Sequence, residues 1–238
     1  MNISKAELMN CPVVKLGWEV DVDRIRQFYQ ENKYKGTDHF GAEISSTVLD
    51  GSQYLDTSPE EYWPLNITTL SDEAQSLQEA IDKKRGISWQ EHQKSLSPKR
   101  RLRAMLTHNE DYDPSVDERC YTKLMPYAEG TYIQDLMHRF QGVPGRTRFT
   151  KLEPNETIHP HVDSVPQHIV RAIIPIWTNE QCSNGYRLKG NDTEMHLELG
   201  QVYVINAGLP HWAHNNGKET RVHLIITLNG PEDLILNK

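Results

Sequence analysis

Four residues in the C-terminal half of the chain combine the chemistry of a metal centre with that of an anion site. His161 and Asp163 stand two apart in an H-x-D triplet, His211 follows, and Arg221 comes ten residues later. Two imidazoles and a carboxylate form the facial triad that binds non-haem Fe(II) and leaves coordination positions open for a cosubstrate and O₂. An arginine keeps its charge, so it suits the far carboxylate of a dicarboxylic acid such as 2-oxoglutarate. The four residues together predict an iron site with an adjoining anion site.

Other histidines compete for the role of metal ligand. His159 shares a strand face with His161, because side chains two residues apart in a strand point to the same side. It leaves the H-x-D spacing unexplained, so we rank it lower. His214 could replace His211, but it lies on the opposite face of the same predicted strand and at a different interval from Arg221.

The elements that must position these residues are strands. After Gly145 the apolar pattern has a period of two, with Gly, Pro and Asn between the segments. Many short strands at regular spacing are typical of a sandwich or barrel, and about eight of them favour a jelly roll. The predicted strands are Thr147–Leu152, Glu156–His161, His168–Trp177, Tyr186–Lys189, Glu194–Leu199, Gln201–Asn206, His211–His214 and Arg221–Leu228.

Two turns connect these strands to the predicted site. Asn215-Asn216-Gly217 predicts a hairpin between the last two strands, which brings Arg221 back alongside the His211 strand. Ser164-Val165-Pro166 breaks the strand after the H-x-D triplet, where we expect a ligand-bearing loop to begin.

The first 142 residues have a mainly helical pattern. N-caps are predicted at Asp21 and Ser71, and a third helix is expected over about Gly130–Phe140. Long polar loops are expected at Gly41–Leu70 and Leu106–Glu118, and loops of that length often carry function. We therefore expect a helical portion with long loops at 1–142, packed on a catalytic β core at 143–238.

Composition excludes several classes of protein. The net charge of −7 argues against nucleic acid as a main partner, and the basic run Lys99–Arg103 is interpreted as a solvated helix face. The longest apolar run, Ile173–Trp177, is too short to span a bilayer, and the N-terminus lacks the apolar stretch of a secretory signal. We therefore expect no membrane partner. The cysteines are few, widely spaced and without a CxxC pattern, which favours a cytoplasmic protein. The sequence gives no indication of the oligomeric state. The cysteines are Cys11, Cys120 and Cys182.

At its motif residues the sequence resembles the aspartyl/asparaginyl β-hydroxylase family, which includes bacterial hydroxylases of free proline. Family members share H-x-D, then R-x-x-x-P-[IL]-x-T-N, then a Gly-led strand with N, then H-x-x-x-N-x-G-x-x-x-R-x-H-L-I. The corresponding segments here are His161–Asp163, Arg171–Asn179, Gly200–Asn206 and His211–Ile225. The resemblance extends over roughly residues 145–230, and the N-terminal portion has no motif that belongs to it.

The resemblance implies a double-stranded β-helix (jelly roll, cupin-like) core. With the helical pattern of the first 142 residues, we expect a mainly β protein with an α-helical N-terminal portion. It also implies an Fe(II)/2-oxoglutarate-dependent dioxygenase that hydroxylates an unactivated C–H bond with O₂. Its iron ligands would be His161, Asp163 and His211, and the acidic ligand favours hydroxylation over halogenation. Arg221 would pair with the distal carboxylate of 2-oxoglutarate.

Further residues of the pocket follow from the same resemblance. Arg171 is the second basic residue, either for the cosubstrate's proximal carboxylate or for a carboxylate of the substrate. Asn215 and His223 are additional cosubstrate-binding candidates.

Several functions fit these residues to different degrees. The favoured one is hydroxylation of a small amino-acid-like molecule, and hydroxylation of an Asp, Asn or Pro side chain in a peptide or protein is the alternative. A non-enzymatic cupin-like binding protein would lack a ligand or the arginine, and neither is missing. A metal-dependent hydrolase or isomerase on the same scaffold would leave Arg221 unexplained.

Overall fold

The computed structural model describes residues 10–33, 65–88, 91–92, 95–163 and 169–230. Most of the predicted loop Gly41–Leu70 lies outside these ranges, since only 65–70 is described. The predicted loop start at Ser164-Val165-Pro166 also lies outside them. Within the described ranges, no helix combines the length and the apolar character needed to cross a membrane.

The described helices and strands follow the chain in this order. The helices are α1 (Val22–Asn32), α2 (Asp72–Arg85), α3 (Pro98–Thr107) and α4 (Tyr132–Met137). The strands are β1 (Val13–Glu19), β2 (Leu65–Asn66), β3 (Thr68–Thr69), β4 (Lys123–Leu124), β5 (Thr147–Leu152), β6 (Thr157–His161), β7 (Val170–Trp177), β8 (Cys182–Leu188), β9 (Asn191–Met195), β10 (Gln201–Ile205), β11 (His211–Asn215) and β12 (Arg221–Leu228).

The strands form two main antiparallel sheets. The larger sheet has the order β1-β10-β7-β12-β5-β2, and the smaller one has the order β6-β11-β8-β9. Strands β3 and β4 form a separate short pair. This arrangement confirms the predicted fold class, which is mainly β with a double-stranded β-helix core.

Alternation along β12 shows how the larger sheet is buried on both faces. Val222, Leu224, Ile226 and Leu228 belong to the main apolar core, together with residues of α1 and α4. The odd-numbered residues of β12, from Arg221 to Thr227, point to the other face, because neighbouring side chains in a strand alternate. That inner face faces the smaller sheet.

A second apolar cluster fills part of the space between the sheets. It joins Ile173, Tyr203 and Ile205 of the larger sheet to Tyr186 and Leu197, which come from β8 and from the segment after β9. The interior is therefore packed, and the polar residues on the same inner face are shielded from water.

The helical predictions are confirmed in kind, with corrections to their bounds. The side chain of Asp21 accepts from the backbone N–H of Arg24 (3.1 Å), and Ser71 caps α2 in the same way. The helix predicted over Gly130–Phe140 is shorter and spans only α4.

The sequence analysis missed strand β1, which pairs with β10 in the larger sheet. The alternation of side chains along β1 is interrupted at Gly17, where φ is 67°. The register of β1 against β10 shifts between Lys15 and Glu19. Strand β2, also from the first 142 residues, pairs with β5. The division of the chain at residue 142 stays a prediction, and strands from both sides of it share one sheet.

Strand β8 begins earlier than predicted, at Cys182 rather than Tyr186. Its segment Ser183-Asn184-Gly185 has the composition of a turn, which explains the error. In the structure the indole ring of Trp212 on β11 lies where a side chain at Gly185 would stand. The glycine is therefore explained by cross-strand packing, which no local pattern reveals.

Candidate active site

Two histidines meet across the smaller sheet. His161 ends β6 and pairs directly with His211 at the start of β11, and their ring centroids are 4.2 Å apart. The Nδ1 of His161 lies 2.8 Å from the backbone oxygen of His159, and that of His211 lies 2.9 Å from the oxygen of Leu209. A carbonyl can only accept, so each Nδ1 carries the proton and each Nε2 offers a lone pair. Burial also lowers the pKa of His161, which favours its neutral form.

Asp163 completes the group from the segment after β6. Its backbone N–H donates to the oxygen of Ala207 (3.0 Å), which fixes the segment beside the sheet. One carboxylate oxygen is 3.6 Å from Nε2 of His161, and the other is 3.3 Å from Nε2 of His211. Two atoms that each bind one ion at about 2.1 Å are at most about 4.2 Å apart, so both separations fit a shared metal.

The ligand atoms of these three residues all lie within 4.8 Å of one another, which is close enough to hold one metal ion. In the described ranges, no other group of His, Cys, Asp and Glu side chains meets this condition. The competing histidines lie elsewhere. His159 is exposed, and His214 lies on the other side of the smaller sheet, where its Nδ1 is 3.0 Å from the hydroxyl of Thr157. The donor set, two neutral imidazoles and one carboxylate, suits Fe(II).

Arg171 on β7 connects the metal ligands to a second carboxylate. Its Nη1 is 2.5 Å from Oδ2 of Asp163, and its Nη2 donates to Oε1 of Glu118 (3.1 Å). Burial by itself would raise the pKa of Asp163, but Arg171 and the two imidazoles outweigh it and hold that pKa well below its usual range. Asp163 is therefore ionised and ready to bind a cation at neutral pH.

Arg221 lies buried at the start of β12, with only 4% of its surface exposed. Among the described residues no carboxylate forms an ion pair with it, its Nε has no hydrogen-bond partner, and its Nη1 is 3.5 Å from Oδ1 of Asn184. Burial lowers its pKa to about 10, so the guanidinium remains charged at neutral pH. A buried cation without a counterion is costly, so this position fits an anionic ligand.

Tyr186 and His223 are further buried polar groups around Arg221. Within the part of the chain that the structure describes, neither the hydroxyl of Tyr186 nor Nε2 of His223 has a hydrogen-bond partner. Burial raises the pKa of Tyr186, and burial together with Arg221 lowers that of His223 far below its usual value. Both side chains are therefore neutral. Both can donate to the oxygens of a carboxylate that binds Arg221.

The sequence analysis missed Tyr186 as a candidate site residue. It is the direct cross-strand partner of His211, and the charge of Arg221 acts on its hydroxyl. A tyrosine in an alternating strand has no local feature that indicates a place in the site. Its position opposite His211 is known only once β8 is paired with β11.

Asn215 has a different set of partners from those expected. Its side-chain nitrogen donates to the backbone oxygens of Leu152 and Glu219 (both 2.8 Å), and its oxygen accepts from the N–H of Gly217 (3.1 Å). A side chain at Gly217 would overlap that of Asn179. These bonds hold the connection between β11 and β12, and they favour a structural role. The predicted hairpin is wrong, because β11 lies in the smaller sheet and β12 in the larger one. The assignment of Asn215 to the cosubstrate stays a prediction.

A second charged group, also missed from the sequence, lies beside Arg171. Oε1 of Glu118 is 3.0 Å from a guanidinium nitrogen of Arg148 and 3.7 Å from one of Arg146. Its Oε2 accepts from the hydroxyl of Thr227 (2.7 Å). The available signal was Arg148 on the predicted strand Thr147–Leu152, with Arg146 just before that strand. Glu118 itself comes from the end of the predicted loop Leu106–Glu118.

Comparisons with known proteins agree with this arrangement. The curated L-proline cis-4-hydroxylase of Rhizobium meliloti (strain 1021) is 30% identical over 96 residues, which make up 38% of this chain and 33% of that protein. The chain thus matches about a third of the length of this relative.

Solved structures that match part of this chain include an oxidoreductase of the 2OG-Fe(II) oxygenase family from Burkholderia pseudomallei, with a TM-score of 0.40 and 17% identity. The match covers 48% of this chain and 65% of that one. A prolyl-4-hydroxylase from Pseudomonas putida matches with a TM-score of 0.32 and 18% identity, over 41% of this chain and 57% of the other.

The profile of the family described as aspartyl/asparaginyl beta-hydroxylase matches residues 65–231, which include every residue of the site described above. The chain therefore belongs to the aspartyl/asparaginyl β-hydroxylase family.

Proposed function

We propose that this protein is an Fe(II)/2-oxoglutarate-dependent dioxygenase that hydroxylates an unactivated C–H bond of a small, amino-acid-like substrate. One observation carries the proposal. A complete facial triad and a buried arginine without a carboxylate partner face the same interior between the two sheets. Neither a hydrolase nor a binding protein with a degenerate site requires both features.

His161, Asp163 and His211 would hold the iron. The bound metal would supply the oxidising chemistry with O₂ and the cosubstrate. The protein's part is to orient the ligands, and the two Nδ1 hydrogen bonds and the contact of Asp163 with Arg171 do this. Burial of all three ligand side chains keeps bulk water from the reacting atoms.

Arg221 would bind the distal carboxylate of 2-oxoglutarate. A guanidinium can donate two parallel hydrogen bonds to a carboxylate, and burial strengthens them because water does not compete. The neutral side chains of Tyr186 and His223 would add donors to the same carboxylate. The absence of hydrogen-bond partners at Arg221 Nε, Tyr186 and His223 supports this role.

A substrate with a carboxylate is supported by the position of Arg171 next to the metal ligand Asp163. The similarity to an L-proline cis-4-hydroxylase favours an amino-acid-like molecule over a protein side chain. The covered part of that relative is short, so the substrate itself belongs to the proposal.

The test is a screen of free amino acids and of peptides that contain the same residues for substrate-stimulated release of succinate from 2-oxoglutarate. We expect succinate to form only with Fe(II), and we expect a free amino acid or a close derivative to stimulate it more than the matching peptide. Asp163→Ala should bind Fe(II) weakly in calorimetry and form no succinate. Full turnover by this variant would remove the facial triad from the explanation.

A further inference from the structure

Three arginines surround one carboxylate inside the fold, next to the metal site. Arg148 lies on β5, Arg146 directly precedes that strand, and Arg171 lies on β7. Each of them has a guanidinium nitrogen within 4 Å of Oε1 of Glu118. We call Arg146, Arg148 and Arg171 the arginine cluster. Each of them is at most 8% exposed. Gly145 permits this arrangement, because a side chain there would overlap the backbone oxygen of Glu118.

The arginine cluster carries more positive charge than its surroundings neutralise. Glu118 offsets one of the three guanidinium charges, and the pKa of this carboxyl is lowered to about 2, so it is ionised. Burial lowers the pKa of Arg148 to about 9, which leaves it charged at neutral pH. Asp163 touches Arg171, but this carboxylate also faces both imidazoles and would be shared with a dipositive metal. Counting only the residues that the structure describes, two positive charges thus remain without a dedicated counterion.

The hydrogen-bonding groups of the cluster point to the same deficit. Nε and Nη2 of Arg146 and Nε of Arg171 are buried and have no hydrogen-bond partner in the described ranges of the chain. Both oxygens of Glu118 are already engaged, one by the arginines and the other by Thr227. The cluster therefore offers donors for an anion.

The arginine cluster is separate from the position proposed for the far carboxylate of 2-oxoglutarate. Arg171 pairs with Thr227 across β7 and β12, whereas Arg221 begins β12. Six residues of strand separate Arg221 from Thr227, which corresponds to about 20 Å. If Arg171 also served the cosubstrate's near carboxylate, one of the two excess charges would be offset and the other would remain.

We propose that the arginine cluster binds the acidic group of the substrate, and that the substrate carries a net negative charge. The inference rests on the proposed function and narrows its substrate class. A zwitterionic amino acid such as proline brings as much positive as negative charge into the interior and leaves the excess unchanged. An acidic or N-acylated amino acid, or another small carboxylic acid without a compensating ammonium group, neutralises it.

Matched pairs of compounds test the charge requirement in the unsubstituted protein. L-Aspartate and L-asparagine, L-glutamate and L-glutamine, and N-acetyl-L-proline and L-proline differ by one unit of net charge. We expect the anionic member of a pair to stimulate succinate release with a kcat/KM at least about tenfold higher. A neutral member that stimulates as well as its anionic partner, or better, overturns the inference. Succinate formation without added substrate tests the proposed function separately, since it does not require a bound substrate.

Binding measurements give a second readout that does not depend on turnover. Protein loaded with Zn(II) and 2-oxoglutarate is titrated calorimetrically with the best anionic compound of the panel and with its neutral partner. Arg148→Met should weaken binding of the anion at least about tenfold, because a buried guanidinium–carboxylate contact is lost. Arg187→Met is the matched control, because Arg187 is exposed and paired with Asp192. Equal affinities for the anionic and the neutral compound, or equal losses in the two variants, would refute the assignment.

Discussion

Replacement of Arg221 by lysine tests the anion site without removing its charge. Lysine keeps the positive charge but offers a point charge instead of the planar pair of donors that a carboxylate matches. Because Arg221 is only 4% exposed, water cannot replace the lost hydrogen bond. The loss should cost about 2 kcal/mol, which corresponds to roughly a 30-fold higher apparent KM for 2-oxoglutarate.

The assay is succinate release measured against 2-oxoglutarate concentration at saturating Fe(II), with Fe(II) affinity measured separately by calorimetry. The affinity for Fe(II) should change little, since no metal ligand lies on β12. Arg187→Lys is the control, because it makes the same substitution at an exposed ion pair. An unchanged KM in Arg221→Lys would refute the reasoning. A parallel loss of Fe(II) affinity would point to a disturbed fold rather than to a lost contact.

Three further predictions follow from individual contacts. His211→Ala should abolish metal binding in calorimetry while His214→Ala leaves it nearly intact, and the reverse order would exchange their roles. Asn215→Ala should lower the free energy of unfolding by about 3 kcal/mol, because buried backbone partners lose their bonds, whereas the exposed Asn216→Ala should change it by less than about 0.5 kcal/mol. A higher KM for 2-oxoglutarate at normal stability would instead assign Asn215 to the cosubstrate. Burial would raise the pKa of Glu118, but the three arginines outweigh it and lower that pKa from 4.5 to about 2. The ionised Glu118 therefore stabilises the fold above pH 4.5, and this stabilisation is lost as the pH falls toward 2. Glu118→Gln should lower the free energy of unfolding, measured by chemical denaturation, by about 3 kcal/mol at neutral pH. The difference between the two proteins should shrink between pH 4.5 and 2.

Local sequence patterns predicted most of the β core and the helix caps. Strands β5 and β12 have the predicted bounds. In β12 the apolar residues Val222, Leu224, Ile226 and Leu228 alternate, whereas β5 is bounded by turn residues on both sides. Asp21 and Ser71 were identified as N-caps, because a short polar side chain before an amphipathic segment has a local function. Strand β1 was missed where Gly17 interrupts the alternation. Strand β8 was predicted too short, because its glycine is explained only by the ring of Trp212.

The sequence by itself determined which residue types were available for chemistry and which of them share a strand face. The H-x-D triplet, His211 and the alternation that places Arg221 and His223 on one face of β12 are local features, and a period of two is enough to derive them.

Only the tertiary structure decided how distant segments combine at the site. The register of β6 with β11 sets His161 opposite His211, and the pairing of β8 with β11 puts Tyr186 there as well. Glu118 reaches Thr227 from 109 positions away along the chain. Alternation fixes the direction of a side chain within its own strand, but register and loop packing depend on the whole fold. The charge balance of the interior, and the substrate class inferred from it, therefore became visible only when these segments were brought together.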